Sequence, residues 1–231
     1  MKNQSINMSY KDVFKSDYKV LIEKKDGYSR YAMLGDIKEA YKLLRDEVNA
    51  RNPRNMDEYI ECVERVIIHY FGNYANIKNR MNIYPKGDDG GKVSNMAHKN
   101  MALGIERAML AQNLLWEVGV DSVFKISDTI INDKIVSHGY NLIDQVNKQY
   151  ILDVTIPTEK NGRVFPIVCE IPKEIYDQMI KNNDIDGYSV HVKHLNPLDC
   201  KEYDITYDAG KDNVYEGKKS FTKKKVLNGW I

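Results

Sequence analysis

Cysteine is scarce in this 231-residue chain: only Cys62, Cys169 and Cys200 are present. An odd number at wide spacing makes neither a disulfide framework nor a zinc signature. No apolar run approaches a membrane span, and the opening MKNQSINMSYKD lacks the apolar core of a signal peptide. Charge of one sign is also missing. The formal net charge of +1 argues against nucleic-acid or membrane binding driven by the field of the whole molecule. There is no internal repeat. What remains is 42% hydrophobic and 29% charged residues, the balance of a soluble globular protein, with a reducing, cytoplasmic setting as the default.

The chain begins polar, with one strand-like run at Tyr18–Ile22. A first helix is expected after Gly35, with Asp36 as cap and Glu39 completing a capping box, ending near Asn49. A second is expected from Asp57 to Phe71, on an apolar stripe of Ile60, Val63, Ile67, Ile68 and Phe71. Cys62 and His69 on it are read as core residues. Residues 1–84 thus form an N-terminal helical part, and 85–99 a flexible loop around Pro85–Lys92. Its Gly-Gly-Lys is not a phosphate loop, because Lys86 and Val93 stand where Gly and Ser or Thr are needed.

The stretch from Asn100 to Thr155 carries the strongest pattern. A helix is expected over Met101–Val118, with apolar residues on so broad a surface that several sides must be covered; Gly119 then stops it. The run DSVFKIS reads as a strand. Ser137–Ile143 and Lys148–Thr155 read as a hairpin joined by Asp144–Asn147. With that four-residue loop, Ile143 pairs with Lys148 and His138 falls opposite Asp153. A five-residue loop would put Val154 there instead. Opposed Cβ atoms about 4.5–5.5 Å apart allow an imidazole–carboxylate hydrogen bond, which fixes the His tautomer as the third member of a catalytic triad does.

Beyond Thr155, Arg163–Ile171 is strand-like despite Pro166, with Cys169 as a buried small hydrophobe. A short helix, Lys173–Ile180, and strands Tyr188–Leu195 and Lys201–Tyr207 follow. His191 and His194, three apart on a strand, point to opposite faces and cannot easily share a metal ion. The lysine-rich tail, Lys218–Lys225, has only Phe221 as an aromatic and reads as a solvated arm.

Taken together, the order helix, strand, H-x-x-N, then a strand ending L-D-x-T resembles the transglutaminase-like core of the papain-like cysteine-hydrolase superfamily. The matching residues are Glu106, Ala108, Leu114, Leu115 and Gly119 on the helix, His138, Tyr140 and Asn141 on the first hairpin strand, and Tyr150, Leu152, Asp153 and Thr155 on the second. The resemblance implies an α+β fold, a central helix packed on an antiparallel sheet, with the core at 100–157. Residues 158–231 become a C-terminal α/β extension of what is one compact domain. It also implies thiol-dependent amide cleavage or acyl transfer on peptide or protein substrates without a cofactor, with His138 and Asp153 as triad members and Tyr140 and Asn141 on the substrate side. The family's cysteine falls on Gly104, which has no side chain to form a thioester. Three readings follow: a non-catalytic binding form, a disarmed variant of an active enzyme, or an α+β domain of unrelated role.

Overall fold

In the computed structural model, residues 19–25, 27–72, 77–87, 89–160, 163–181, 188–196, 201–208 and 225–228 are described. Two antiparallel strands, β1 (Val20–Lys25) and β2 (Tyr28–Met33), open the chain, and helices α1 (Lys38–Arg51) and α2 (Met56–Phe71) follow. The capping box expected at Asp36 does not form. Ile37 is the N-cap, and Asp36 Oδ1 instead accepts the Lys38 N–H at 3.1 Å. Helix α2 is properly capped: Asn55 Oδ1 accepts from Glu58 N at 3.0 Å. On it Cys62 is fully buried, whereas His69 is exposed, contrary to the expected core role.

The segment expected to be a flexible loop contains order. Strand β3 (Gly90–Lys92) pairs in parallel with β2, and a 3-10 turn spans Val93–Met96. Among the described residues, the segment expected to be purely helical thus begins with two strands, and β3 adds a third to their sheet. Pairing with a distant strand supplies this order, and local composition does not record it.

Helix α3 (Gly104–Glu117) starts three residues later than the apolar pattern suggests, and every residue from Gly104 to Leu115 is buried. Strands β4 (Ser122–Ile131), β5 (Lys134–Gln145), β6 (Lys148–Lys160) and β7 (Arg163–Ile171), helix α4 (Lys173–Lys181), and strands β8 (Tyr188–Asn196), β9 (Lys201–Asp208) and β10 (Lys225–Asn228) complete the order. Pro166 is accommodated because β7 ends the run of hydrogen-bonded strands.

The fold is mixed α+β. Seven strands run in the order β10-β8-β9-β4-β5-β6-β7, and the sheet curls until β7 approaches β8, leaving it nearly closed. Two cores result. Outside the curl, α1, α2 and α3 bury Phe124, Ile143, Leu152 and Val154. Inside it, Val123, Tyr140, Ile151, Ile167 and Tyr207 pack with Met179 of α4. Among the described residues no helix is long and apolar enough to cross a membrane.

Candidate functional site

Strands β5 and β6 and the start of α3 carry the site, β9 adds Tyr207, and two turns set the register of β4, β5 and β6. Asn132 and Asp133 join β4 to β5 with φ of 48° and 63°, as a type I′ turn requires. The β5–β6 loop is shorter than expected: Gln145 pairs with Lys148, so only Val146 and Asn147 connect the strands. Continuing that register sets His138 opposite Thr155, not Asp153. The expected pairing is off by two residues, which preserves the face because side chains alternate with a period of two. His138 and Asp153 are diagonal neighbours, and the side chains close the gap.

His138 Nε2 stands 2.7 Å from Asp153 Oδ2, with Thr155 Oγ1 at 3.2 Å from the same nitrogen. Asp153 is 1% exposed and His138 4%. The Thr155 main-chain N–H donates to Asp153 Oδ1 at 2.9 Å, and Tyr207 O–H donates to Oδ2 at 2.7 Å. Burial pushes the Asp153 carboxyl up, but the charge of His138 and these hydrogen bonds outweigh it and hold the group below its ordinary value of 3.8. Burial beside this carboxylate drives the Tyr207 hydroxyl well above its usual range, so it stays a donor.

A carboxyl held lower in the folded chain than in the unfolded one adds stability above 3.8, and that stability disappears as pH falls through the folded value. The stability gap between the native chain and Asp153→Asn is therefore expected to narrow as pH is lowered from about 5 towards 2 in urea unfolding. A gap that widens on acidification would contradict this.

Gly104 is the first residue of α3, and the helix start is held by Glu106. Its Oε2 accepts the Leu103 N–H at 3.0 Å, the carboxylate half of a capping box, for which Leu103 has no reciprocal oxygen. Glu106 Oε1 accepts from Arg80 Nε at 2.6 Å, from Arg80 Nη2 at 2.5 Å and from the Tyr84 hydroxyl. Strand β5 runs close to this helix start because Gly139 has no Cβ: one placed there would lie 2.7 Å from Ile105 Cα. A Cβ on Gly104 would lie 2.8 Å from His138 Nδ1, 2.7 Å from Cε1 and 2.8 Å from Thr155 Oγ1. The three positions singled out in the sequence, Gly104, His138 and Asp153, thus meet at one end of the sheet.

The two remaining sequence candidates separate. Tyr140 stays on the His138 face: the rings stack with centroids 6.5 Å apart, and its hydroxyl lies 2.9 Å from Ser127 Oγ. Asn141 is on the other face. Its amide donates to Ala108 O at 3.3 Å and Gln112 Oε1 at 3.1 Å, so it ties β5 to α3 and does not line the site.

Tyr207 has no counterpart in the sequence reading, although the alternation Tyr203, Ile205, Tyr207 in β9 marks one face. Buried His194 lies on that inner layer, its imidazole depressed by burial against the opposing pull of Asp153, while half-buried His191 faces away and bonds Asp204 at 2.6 Å. No cluster of three or more metal-ligating side chains occurs among the described residues. Cys62 and Cys169 are buried, and burial pushes the Cys169 thiol up to about 12 and raises that of Cys62. Neither is a poised thiolate; Cys200 and the residues 218–224 of the basic tail lie outside the described residues.

A scan against protein-family models finds no matching model, and a search of curated proteins finds no match.

Proposed function

We propose that this chain is a transglutaminase-like protein of the papain-like fold whose thiol position is held by Gly104, and that it binds peptide or protein ligands without cleaving them. One observation carries the reading. The Cβ point of Gly104, at a helix N-terminus, faces Nδ1 of a histidine whose Nε2 is held by a buried aspartate. A thiol there would have a base on one side and the helix dipole behind it, the two devices that turn a cysteine into a nucleophile. Glycine leaves the base and its orienting carboxylate with nothing to deprotonate.

The imidazole and Thr155 Oγ1 stand closer to the Cβ point than real Cβ atoms come to their neighbours. Such a site is fitted to glycine, which favours a settled binding form over a recently disarmed enzyme.

The test is Gly104→Cys, with Gly104→Ala as the control for the added Cβ alone. Both variants must push the imidazole back, and each is expected to lose about 1–3 kcal/mol. Per-cysteine alkylation at neutral pH, read by mass spectrometry, is expected to label the thiol introduced at position 104 at least tenfold faster than Cys62 and Cys169, and His138→Ala is expected to remove that advantage. An introduced thiol no faster than the buried ones would sink the reading.

A further inference from the structure

We infer that Glu64 is a protonation switch: as a neutral acid it seats α2 on the sheet, and its ionisation loosens α2 together with the segment leading into Gly104. This goes beyond the binding function proposed above and does not depend on it. Glu64 lies in the middle of α2 and is 2% exposed. Its Oε1 has no hydrogen-bond partner among the described residues. The adjacent cation is turned elsewhere. Arg65 donates to Glu61 Oε1 from Nε at 3.2 Å and from Nη2 at 2.9 Å, and its Nε stands 3.6 Å from Glu47 of α1. An ionised carboxylate so enclosed costs far more than a neutral acid of the same shape. Burial accordingly pushes the Glu64 carboxyl well above its ordinary 4.5; Glu61 adds to the rise, and the Arg65 charge opposes it only in part.

The elements packed against α2 bring no compensating charge. On β6, the Tyr150 hydroxyl accepts from Gln145 Nε2 at 3.2 Å, and burial, then Asp57 and Glu64, raise it, so it stays neutral. Lys148 of β6 is paired with Asp57 at 3.2 Å. On β7, the residue opposite Tyr150 is Glu170, a second acid. On α3, Arg107 Nε donates to Ala102 O at 3.0 Å. The C-terminus of α2 carries the consequence onward. Tyr70 O accepts from His98 N at 2.7 Å, Phe71 O accepts from Asn100 N at 3.1 Å, and Arg107 Nη2 donates to Gly72 O. These bonds tether the chain just before α3 begins at Gly104. A helix pushed off the sheet takes those carbonyls with it.

An acid held higher in the folded chain than in the unfolded one costs stability as pH rises. The stability is fully present below 4.5 and is lost from there until the folded value is passed. The full chain is titrated from about pH 5 to about pH 9 beside Glu64→Gln, which keeps the shape and cannot ionise. The Glu64 carboxyl carbon, followed by NMR, is expected to titrate with a midpoint well above 4.5. In urea unfolding the native chain is expected to weaken relative to Glu64→Gln as pH rises, by up to about tenfold in the unfolding equilibrium constant per pH unit, the effect of one proton. Amide exchange separates a switch from a general loss of stability. The N–H groups of His98 and Asn100 are expected to lose severalfold more protection than the β4–β5 hairpin amides, in the native chain and not in Glu64→Gln. Should that variant fail to fold, Glu64→Leu replaces it, and the carbon titration needs no variant.

A carboxyl that titrates at or below 4.5 would overturn the inference. So would a stability difference that is constant with pH or that moves in the native chain's favour as pH rises. Loss of protection shared equally by the hairpin would reduce Glu64 to a group that lowers stability everywhere, and the switch would fall.

Discussion

Replacing Asp153 by alanine is expected to cost about 3–5 kcal/mol, the cost of breaking a buried ion pair by removing one partner. For a chain of this length, that lowers the midpoint of thermal unfolding by roughly 10 °C. The carboxylate is 1% exposed and accepts from three donors on three different strands: Thr155 N on β6, Tyr207 O–H on β9 and His138 Nε2 on β5. Deleting it leaves all three buried donors without their acceptor. Tyr207→Phe removes one donor and no acceptor, so it is expected to cost only about 1 kcal/mol. Asp153→Asn keeps the shape but turns an N–H towards a donor, and should fall between the two. Urea unfolding of the three variants ranks them. An alanine variant within about 1 kcal/mol of the native chain would show that the cluster is not the junction of the curled sheet.

Much of this junction was legible in the sequence, and what was not has a definite physical origin. The alternation in SHGYNLI and KQYILDVT shows which side chains share a face, so His138 and Asp153 could be placed together even with the register two residues out. Loop length is what fixes register, and Val146-Asn147 carries neither the Gly nor the Asn-Gly that marks a two-residue turn. The resemblance, through its H-x-x-N pattern, implies Asn141 on the substrate side. Three positions along a strand, however, is an odd step, and its amide points to Gln112 and Ala108 instead.

Tyr207 was beyond reach for a different reason. Alternation in β9 says that Tyr207 faces inward, but nothing local says that β9 lies beside β4, or that the sheet curls far enough to bring its hydroxyl to Asp153, 54 residues away. The small sheet β1-β2-β3 was hidden likewise, because Gly90–Lys92 becomes a strand only by pairing with β2. Long-range pairing is a property of the whole chain, and short windows record little of it.

Glu106 is where the helix start, and through it the Gly104–His138 geometry, is set. Glu106→Ala is expected to be as damaging as the loss of Asp153, about 3–5 kcal/mol, because it leaves the largely buried Arg80 guanidinium without its counter-charge. Tyr84, 1% exposed, and Leu103 N lose their acceptor in the same step. Burial lowers the Arg80 group, and Glu106 first, with Tyr84 and Glu23 behind it, more than restores it, as expected of a cation that depends on its partners. Replacing both members with leucine removes the orphaned charge, so Arg80→Leu/Glu106→Leu is expected to be more stable than Glu106→Ala alone. A role confined to stability would end there. A positioning role predicts more: in the Gly104→Cys background, Glu106→Gln is expected to slow alkylation at position 104 severalfold while leaving Cys62 unchanged. The start of α3, which carries position 104, loses its anchor when the cap that holds Leu103 is weakened. Unchanged alkylation at 104 in a folded Glu106→Gln chain would confine this carboxylate to holding the fold.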